Sequence, residues 1–288
     1  MARLTVRDIQ KMKTDHKRIS MLTAYDASSA RLAEAAGVDM ILVGDSLGMV
    51  VQGHDSTVPV TLDQMIYHAE IVARVTQKPL IIGDMPFMSV QVSTEQALAN
   101  CARMMREALV TAVKVEGGQF MAPTIARLTE AGIPVMAHIG LTPQSVHQFG
   151  GFRVQGKELE AAKRLIRDAH AIQDAGAFAV VLELTPTALA HVISERLHIP
   201  TIGIGAGVHC DGQVQIFHDI LDLYQVFLPK HAKQYAHVGE IMRSAIEAYV
   251  REVQNSAFPT DKNSFSMNES ELNELRAQLA KEDSDASR

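Results

Sequence analysis

Met40-Ile41-Leu42-Val43-Gly44-Asp45-Ser46 is a short apolar run that ends on glycine and then on polar residues. The same design recurs along the chain, each time after a stretch with helical character. Leu80-Ile81-Ile82 leads into Gly83-Asp84, and Ala112-Val113-Lys114-Val115 into Glu116. Pro134-Val135-Met136-Ala137 ends at His138, and Ala179-Val180-Val181-Leu182 at Glu183. Near the start, Ile19-Ser20-Met21-Leu22 leads to Tyr25-Asp26. Later, Pro200-Thr201-Ile202 enters the glycine-rich 203–207. Tyr224–Leu228 is a weaker eighth candidate. Short apolar runs alternating with helices indicate βα units and a parallel sheet. Eight candidates about 25–40 residues apart predict an α/β fold of the (β/α)8 TIM-barrel type. The alternative, a doubly wound sheet, normally carries a glycine fingerprint after its first strand, and none is present.

The helices between the runs carry readable ends. Ser93 with Gln96 predicts a capping box opening a helix through Leu109. Thr185 before Pro186 predicts an N-cap followed by an N1 proline. Gly37, Gly132 and Gly176 stand where C-terminal glycines end helices. The segment Glu107–Thr111 has no glycine, so its turn must be built differently.

Composition agrees with one large globular domain. The chain has 288 residues, 47% hydrophobic and 21% charged, close to the globular average. Net charge is 27 minus 33, or −6, so no basic excess points to nucleic acid. No apolar run is long enough for a membrane span, and the N-terminus lacks the apolar core of a signal peptide. Two cysteines, Cys101 and Cys210, make no disulfide framework or zinc spacing, which suits a reducing, cytoplasmic setting. Residues 1–265 read as the catalytic barrel. From Ser266 to Arg288 there are six acids and three bases, which reads as an acidic extension. A weak helix capped by Asn268 is expected through Glu282, followed by disorder.

In a parallel barrel the C-terminal strand ends share one mouth. Asp45, Asp84, Lys114, Glu116, His138 and Glu183 all stand at or near predicted strand ends and are expected to converge. Lys114 and Glu116 are two apart on one strand, so they share a face; two opposite charges buried together are costly unless they serve a ligand. Several carboxylates around one mouth suit a hard divalent cation such as Mg²⁺. The same acids could instead cap neighbouring helices. Four further features carry readings of their own. Gly44–Gly48 matches the GxSxG elbow, with Ser46 as a hydrolase nucleophile. Gly203, Gly205 and Gly207 are either a phosphate loop or close-packing glycines. Thr142–Gly156 is either a lid or a solvated insertion. His138 is either a substrate contact or a hydrogen-bonded core histidine.

At these residues the chain closely resembles the ketopantoate hydroxymethyltransferase family. The matching stretches are MLTAYD (21–26), LVGDSLGMVVQGHDSTVPVT (42–61), DMPF (84–87), VKVEGG (113–118), HIGLTPQSV (138–146), FGGFRVQG (149–156), LE (182–183) and GIGAG with DGQ (203–213). The resemblance implies a TIM barrel assembled as a homodecamer. It implies transfer of a hydroxymethyl group from 5,10-methylenetetrahydrofolate to the keto acid 3-methyl-2-oxobutanoate, giving ketopantoate and tetrahydrofolate. By the same resemblance Asp45, Asp84 and Glu116 attend Mg²⁺, Asp45, Ser46, Asp84 and Lys114 contact the keto acid, and Glu183 is the base. Competing functions are a related Mg²⁺-dependent barrel that cleaves or rearranges 2-keto acids, a serine hydrolase built on Ser46, and a non-catalytic keto-acid sensor.

Overall fold

The computed structural model describes residues 2–286. Eight parallel strands close into a barrel in chain order. They are β1 (Ile19–Thr23), β2 (Met40–Val43), β3 (Leu80–Asp84), β4 (Ala112–Glu116), β5 (Val135–Gly140), β6 (Ala179–Glu183), β7 (Thr201–Ile204) and β8 (Gly212–Gln215). The expected (β/α)8 barrel is therefore what the chain forms.

Strand alternation sorts the side chains into two apolar layers. Met40 and Leu42, Leu80 and Ile82, Ala112, Met136, Ala179 and Val181 belong to the inner cluster. Ile41, Val43, Ile81, Val113, Val115, Val135 and Val180 pack outward against the helices. With a period of two, Lys114 and Glu116 share the inward face of β4 with Ala112. Asp84 and His138 share theirs with Ile82 and Met136. The N-terminal helix Val6–Thr14 contributes fully buried Ile9 to the inner layer.

The eighth strand corrects the sequence reading. Tyr224–Leu228 is irregular, and Val226 is 82% exposed. The strand is Gly212-Gln213-Val214-Gln215, which pairs with β1 and β7. Val214 is its only large apolar residue, so hydropathy does not mark it. Gly212 is required there, because a Cβ would press on the Ile19 carbonyl and side chain. Gly140, at φ +93°, likewise leaves no room for a Cβ beside the Glu183 backbone.

Most predicted helix ends are present. Ser93 accepts from the Gln96 amide and opens Thr94–Ala108, but Gln96 Oε1 makes no return bond, so the expected capping box is only half formed. Gly37, Gly132 and Gly176 adopt positive φ just past their helices. The glycine-free turn is made by Leu109, which takes the left-handed conformation at φ 56° while 70% exposed. Thr185 does not cap: the N-cap of Thr187–Arg196 is Pro186, and the Thr185 hydroxyl turns back to the Glu183 carbonyl.

The chain divides into two compact units, the first ending at Ala236 and the second beginning at His237. This division falls ahead of the boundary at 265 drawn from composition. The second unit holds the helices Val238–Gln254 and Glu269–Ala286. Asn268 opens the latter by accepting from the Ser270 amide. That helix runs past Glu282, and residues 287–288 lie outside the described range. Among the described residues no helix is long and apolar enough to cross a membrane.

Candidate active site

Five consecutive strands bring one charged side chain or more to the same end of the barrel. Asp84 is register partner to Lys114, and Glu116 to His138. Asp45 follows β2 directly, and Glu183 closes β6. All six, with Ser46, line one cavity of about 370 Å³. The convergence expected from strand-end positions is thus present in space.

The contacts are tight. Lys114 Nζ donates to Asp84 Oδ1 at 2.6 Å and lies 3.9 Å from Glu116 Oε1. The Asp45 amide donates to Asp84 Oδ2 at 3.2 Å. His138 places Nδ1 3.5 Å from Glu116 Oε1 and Nε2 3.3 Å from Glu183 Oε2. Neither of these contacts is aligned as a hydrogen bond, and Glu116 Oε1 has no hydrogen-bond partner. Burial tends to discharge Lys114, but Asp84, Glu116 and Asp45 outweigh it and hold the ammonium charged. Burial and Lys114 press the His138 pKa down, while Glu116 and Glu183 raise it to about 9. Asp45 is pushed well above the ordinary carboxylate range, first by burial and then by Asp84.

Four participants carry no role in the sequence reading. Gln144 donates from Nε2 to Asp45 Oδ2 and to the Met85 carbonyl, both at 2.9 Å, and its amide donates to Glu116 Oε2 at 3.1 Å. It lies in the 142–156 segment, whose Phe152 and Val154 also reach the cavity. The fully buried Tyr25 pairs its hydroxyl with Ser46 Oγ at 2.8 Å. His231 and Asp219 line the same cavity. The signals for Gln144 and Tyr25 were inside the TPQS and TAYD stretches; nothing in the local sequence marks the other two.

The alternative motifs resolve on geometry. Ser46 pairs with a tyrosine hydroxyl, not with the histidine a nucleophile elbow needs. No helix follows Gly203–Gly207, and a Cβ on Gly203 would crowd Cys210 and Gln213, so these glycines serve close packing. Among the described residues no group of three or more His, Cys, Asp or Glu forms a self-sufficient metal cage.

Asp219 has a measurable consequence. Burial lifts its pKa to about 6 from an ordinary value near 4. The folded state therefore holds a proton that the unfolded state releases, and stability falls as pH rises from about 4 to about 6. Asp219→Asn is expected to remove that decline and to stabilise the protein at pH 7 by ~1–2 kcal/mol, after allowing for solvent screening in the cavity. Thermal melting across pH 4–8 reads this. An unchanged slope would show that the carboxyl is not strained by its burial.

A family model described as ketopantoate hydroxymethyltransferase matches residues 3–261. The 3-methyl-2-oxobutanoate hydroxymethyltransferase of Chloroflexus aurantiacus is 57% identical over 94% of this chain and 95% of its own. That of Carboxydothermus hydrogenoformans is 52% identical over 93% and 97%. Among solved structures, a 2,3-dimethylmalate lyase of the PEP mutase/isocitrate lyase superfamily superposes with TM-score 0.58 at 18% identity, covering 99% of each chain. A phosphonopyruvate hydrolase gives 0.60 at 15%, also covering 99% of each. At these identities the two structures speak to the fold alone.

Proposed function

The chain belongs to the ketopantoate hydroxymethyltransferase family, and from that premise we propose how its cavity performs the transfer within pantothenate synthesis. The keto acid 3-methyl-2-oxobutanoate occupies the charged floor, and the one-carbon unit comes from 5,10-methylenetetrahydrofolate. The observation that carries the reading is the meeting of Asp45, Asp84, Lys114, Glu116 and Glu183 around one cavity.

The floor fits Mg²⁺ chemically. Mg²⁺ prefers oxygen ligands and is usually held by one or two carboxylates, with waters and substrate completing its shell. Asp45 and Asp84 would hold the ion, and the unpartnered Glu116 Oε1 would face its shell. When bound, the ion supplies Lewis-acid polarisation of the keto group.

The chain's own groups do the rest. Lys114 neutralises the substrate carboxylate and fixes its orientation. Ser46, held by Tyr25, offers a hydroxyl to the keto acid. Glu183 takes the C3 proton as general base, and the C–H electron pair passes into the enolate. C3 then attacks the methylene carbon of the donor as one of its two C–N bonds breaks, and the proton taken from C3 passes to that nitrogen. Water replaces the remaining nitrogen on that carbon and gives it a proton, leaving ketopantoate and tetrahydrofolate. His138 stands between Glu116 and Glu183 and keeps their carboxylates apart.

The resemblance further implies a cytoplasmic homodecamer. The helix Val238–Gln254 supports self-association, since it carries Ile241, Met242, Ile246 and Tyr249 without burying any residue.

The reading is tested by proton NMR of the keto acid in D₂O, with Mg²⁺ and with EDTA. Metal-dependent loss of the C3 proton signal is expected, and ketopantoate should appear when methylenetetrahydrofolate is added. No ketopantoate with both Mg²⁺ and donor present would sink the transferase reading.

Gln144 gives a separate check on the metal assignment. Groups that orient a metal's ligands typically contribute 10–100-fold to affinity. Gln144→Met removes the donors to Asp45 Oδ2 and the Met85 carbonyl but keeps the side chain's length. Its apparent Mg²⁺ dissociation constant is expected to rise about 10–100-fold, read by calorimetric titration. Unchanged affinity would mean that Asp45 does not bind the ion.

A further inference from the structure

The cavity lining is of two chemical kinds. Charged side chains come from the ends of β2 to β6. The same lining also holds Ile216, Tyr224, Phe227, Phe152 and Val154. The keto acid has eight non-hydrogen atoms. A cavity of about 370 Å³ falls instead among those of roughly 300–1,000 Å³ that enclose drug-sized ligands. Phe152 and Phe227 line it while remaining 50% and 62% exposed.

One group in that lining, just after β8, is out of place. Asp219 lies on the single-turn helix Phe217–Ile220, whose first amide is tied to Thr23 Oγ1 at 3.0 Å. The residue is only 3% exposed and lines the cavity. Its carboxyl has no hydrogen-bond or ion-pair partner among the described residues, and burial is the one influence on its proton. A carboxylate that faces a cavity with no protein donor marks a place where a ligand brings donors.

We propose that Asp219 receives the aminopyrimidinone edge of the folate donor's pterin ring. The carboxylate accepts from the ring N3–H and the 2-amino group together. Two adjacent N–H donors match the bidentate geometry that a carboxylate accepts. The flat ring fills the slot lined by Tyr224, Phe227 and Phe152, where aromatic faces stack. Lys230 lines the same cavity and suits the anionic glutamate tail of the donor. This assignment rests on the transferase reading above and adds to it the site of the second substrate.

The test is calorimetric titration of the full chain with tetrahydrofolate and with its 2-desamino analogue. Asp219→Asn keeps the shape but turns one acceptor into a donor facing the ring N–H. It is expected to weaken tetrahydrofolate binding by tenfold or more. Wild-type protein should lose a similar factor with the 2-desamino analogue, whereas the variant should bind both ligands alike. Equal affinity of variant and wild type for tetrahydrofolate would overturn the assignment. So would a penalty for the variant that is the same with both ligands, since that pattern reports altered packing. Ketopantoate formation by the wild type is followed in parallel. Product formed while the variant binds tetrahydrofolate normally removes Asp219 and leaves the transferase reading intact. No product from the wild type removes that reading itself.

Discussion

Glu183→Gln is expected to slow release of the C3 proton of 3-methyl-2-oxobutanoate by about 10²–10⁴-fold, the range a positioned general base supplies. Glutamine keeps the volume and the contact with the cavity wall, so the keto acid should still bind. What it lacks is a lone pair basic enough to take the proton. The position suits the role: Glu183 closes β6, lines the cavity, and is the more open of the two carboxylates beside His138, with 14% of its side chain exposed against 4% for Glu116. The deuterium wash-in rate in D₂O measures the proton step without the donor, and ketopantoate formation measures the whole reaction. Both should fall together while the Michaelis constant for the keto acid stays within a few-fold. A variant that retained more than a tenth of the exchange rate would show that another group takes the proton. His231, which lines the same cavity, would then be the next candidate.

Much of this arrangement was legible because the chemistry sits on strands. A period of two puts Lys114 and Glu116 on one face of β4, and the barrel rule puts Asp45, Asp84, His138 and Glu183 at one end. Even the irregular turn before β4 left the register intact, since Leu109 accepts a left-handed conformation where a glycine was expected. What escaped lies where hydropathy carries no signal. β8 is Gly-Gln-Val-Gln, held by two neighbouring strands and by the space that Gly212 leaves for Ile19. Gln144 acts on a residue 99 positions away, through a loop whose conformation no periodicity describes. Asp219 became conspicuous only when its surroundings were known. An aspartate in Phe-His-Asp-Ile is unremarkable; an aspartate buried in a cavity without a donor is not.

The largest effect on stability should come from Lys114. Its ammonium is 2.6 Å from Asp84 and 3.9 Å from Glu116, and all three side chains are at most 5% exposed. Such a cluster need not stabilise the fold more than apolar residues of the same volume would. Removing one partner, however, leaves its counter-charge buried and uncompensated, which typically costs about 3–5 kcal/mol. Lys114→Met should therefore lower the unfolding free energy of the metal-free protein by that order at neutral pH, as well as abolish turnover. Adding Asp84→Asn to the same chain removes the orphaned charge. The double variant should recover much of the lost stability and none of the activity. The pH dependence has a defined sign. The neighbouring carboxylates raise the Lys114 pKa above its unfolded value, so its contribution is complete below about pH 10.4. That contribution is lost as pH climbs from there through the folded pKa. Denaturant titrations with EDTA present should accordingly show wild type and Lys114→Met converging only on the strongly alkaline side. If the single variant is as stable as wild type at neutral pH, the lysine is not neutralising Asp84. Its place in binding the keto-acid carboxylate would then have to be judged by kinetics alone. If the double variant is no more stable than the single, the loss comes from packing around the β4 side chain, because charge balance alone predicts the rescue.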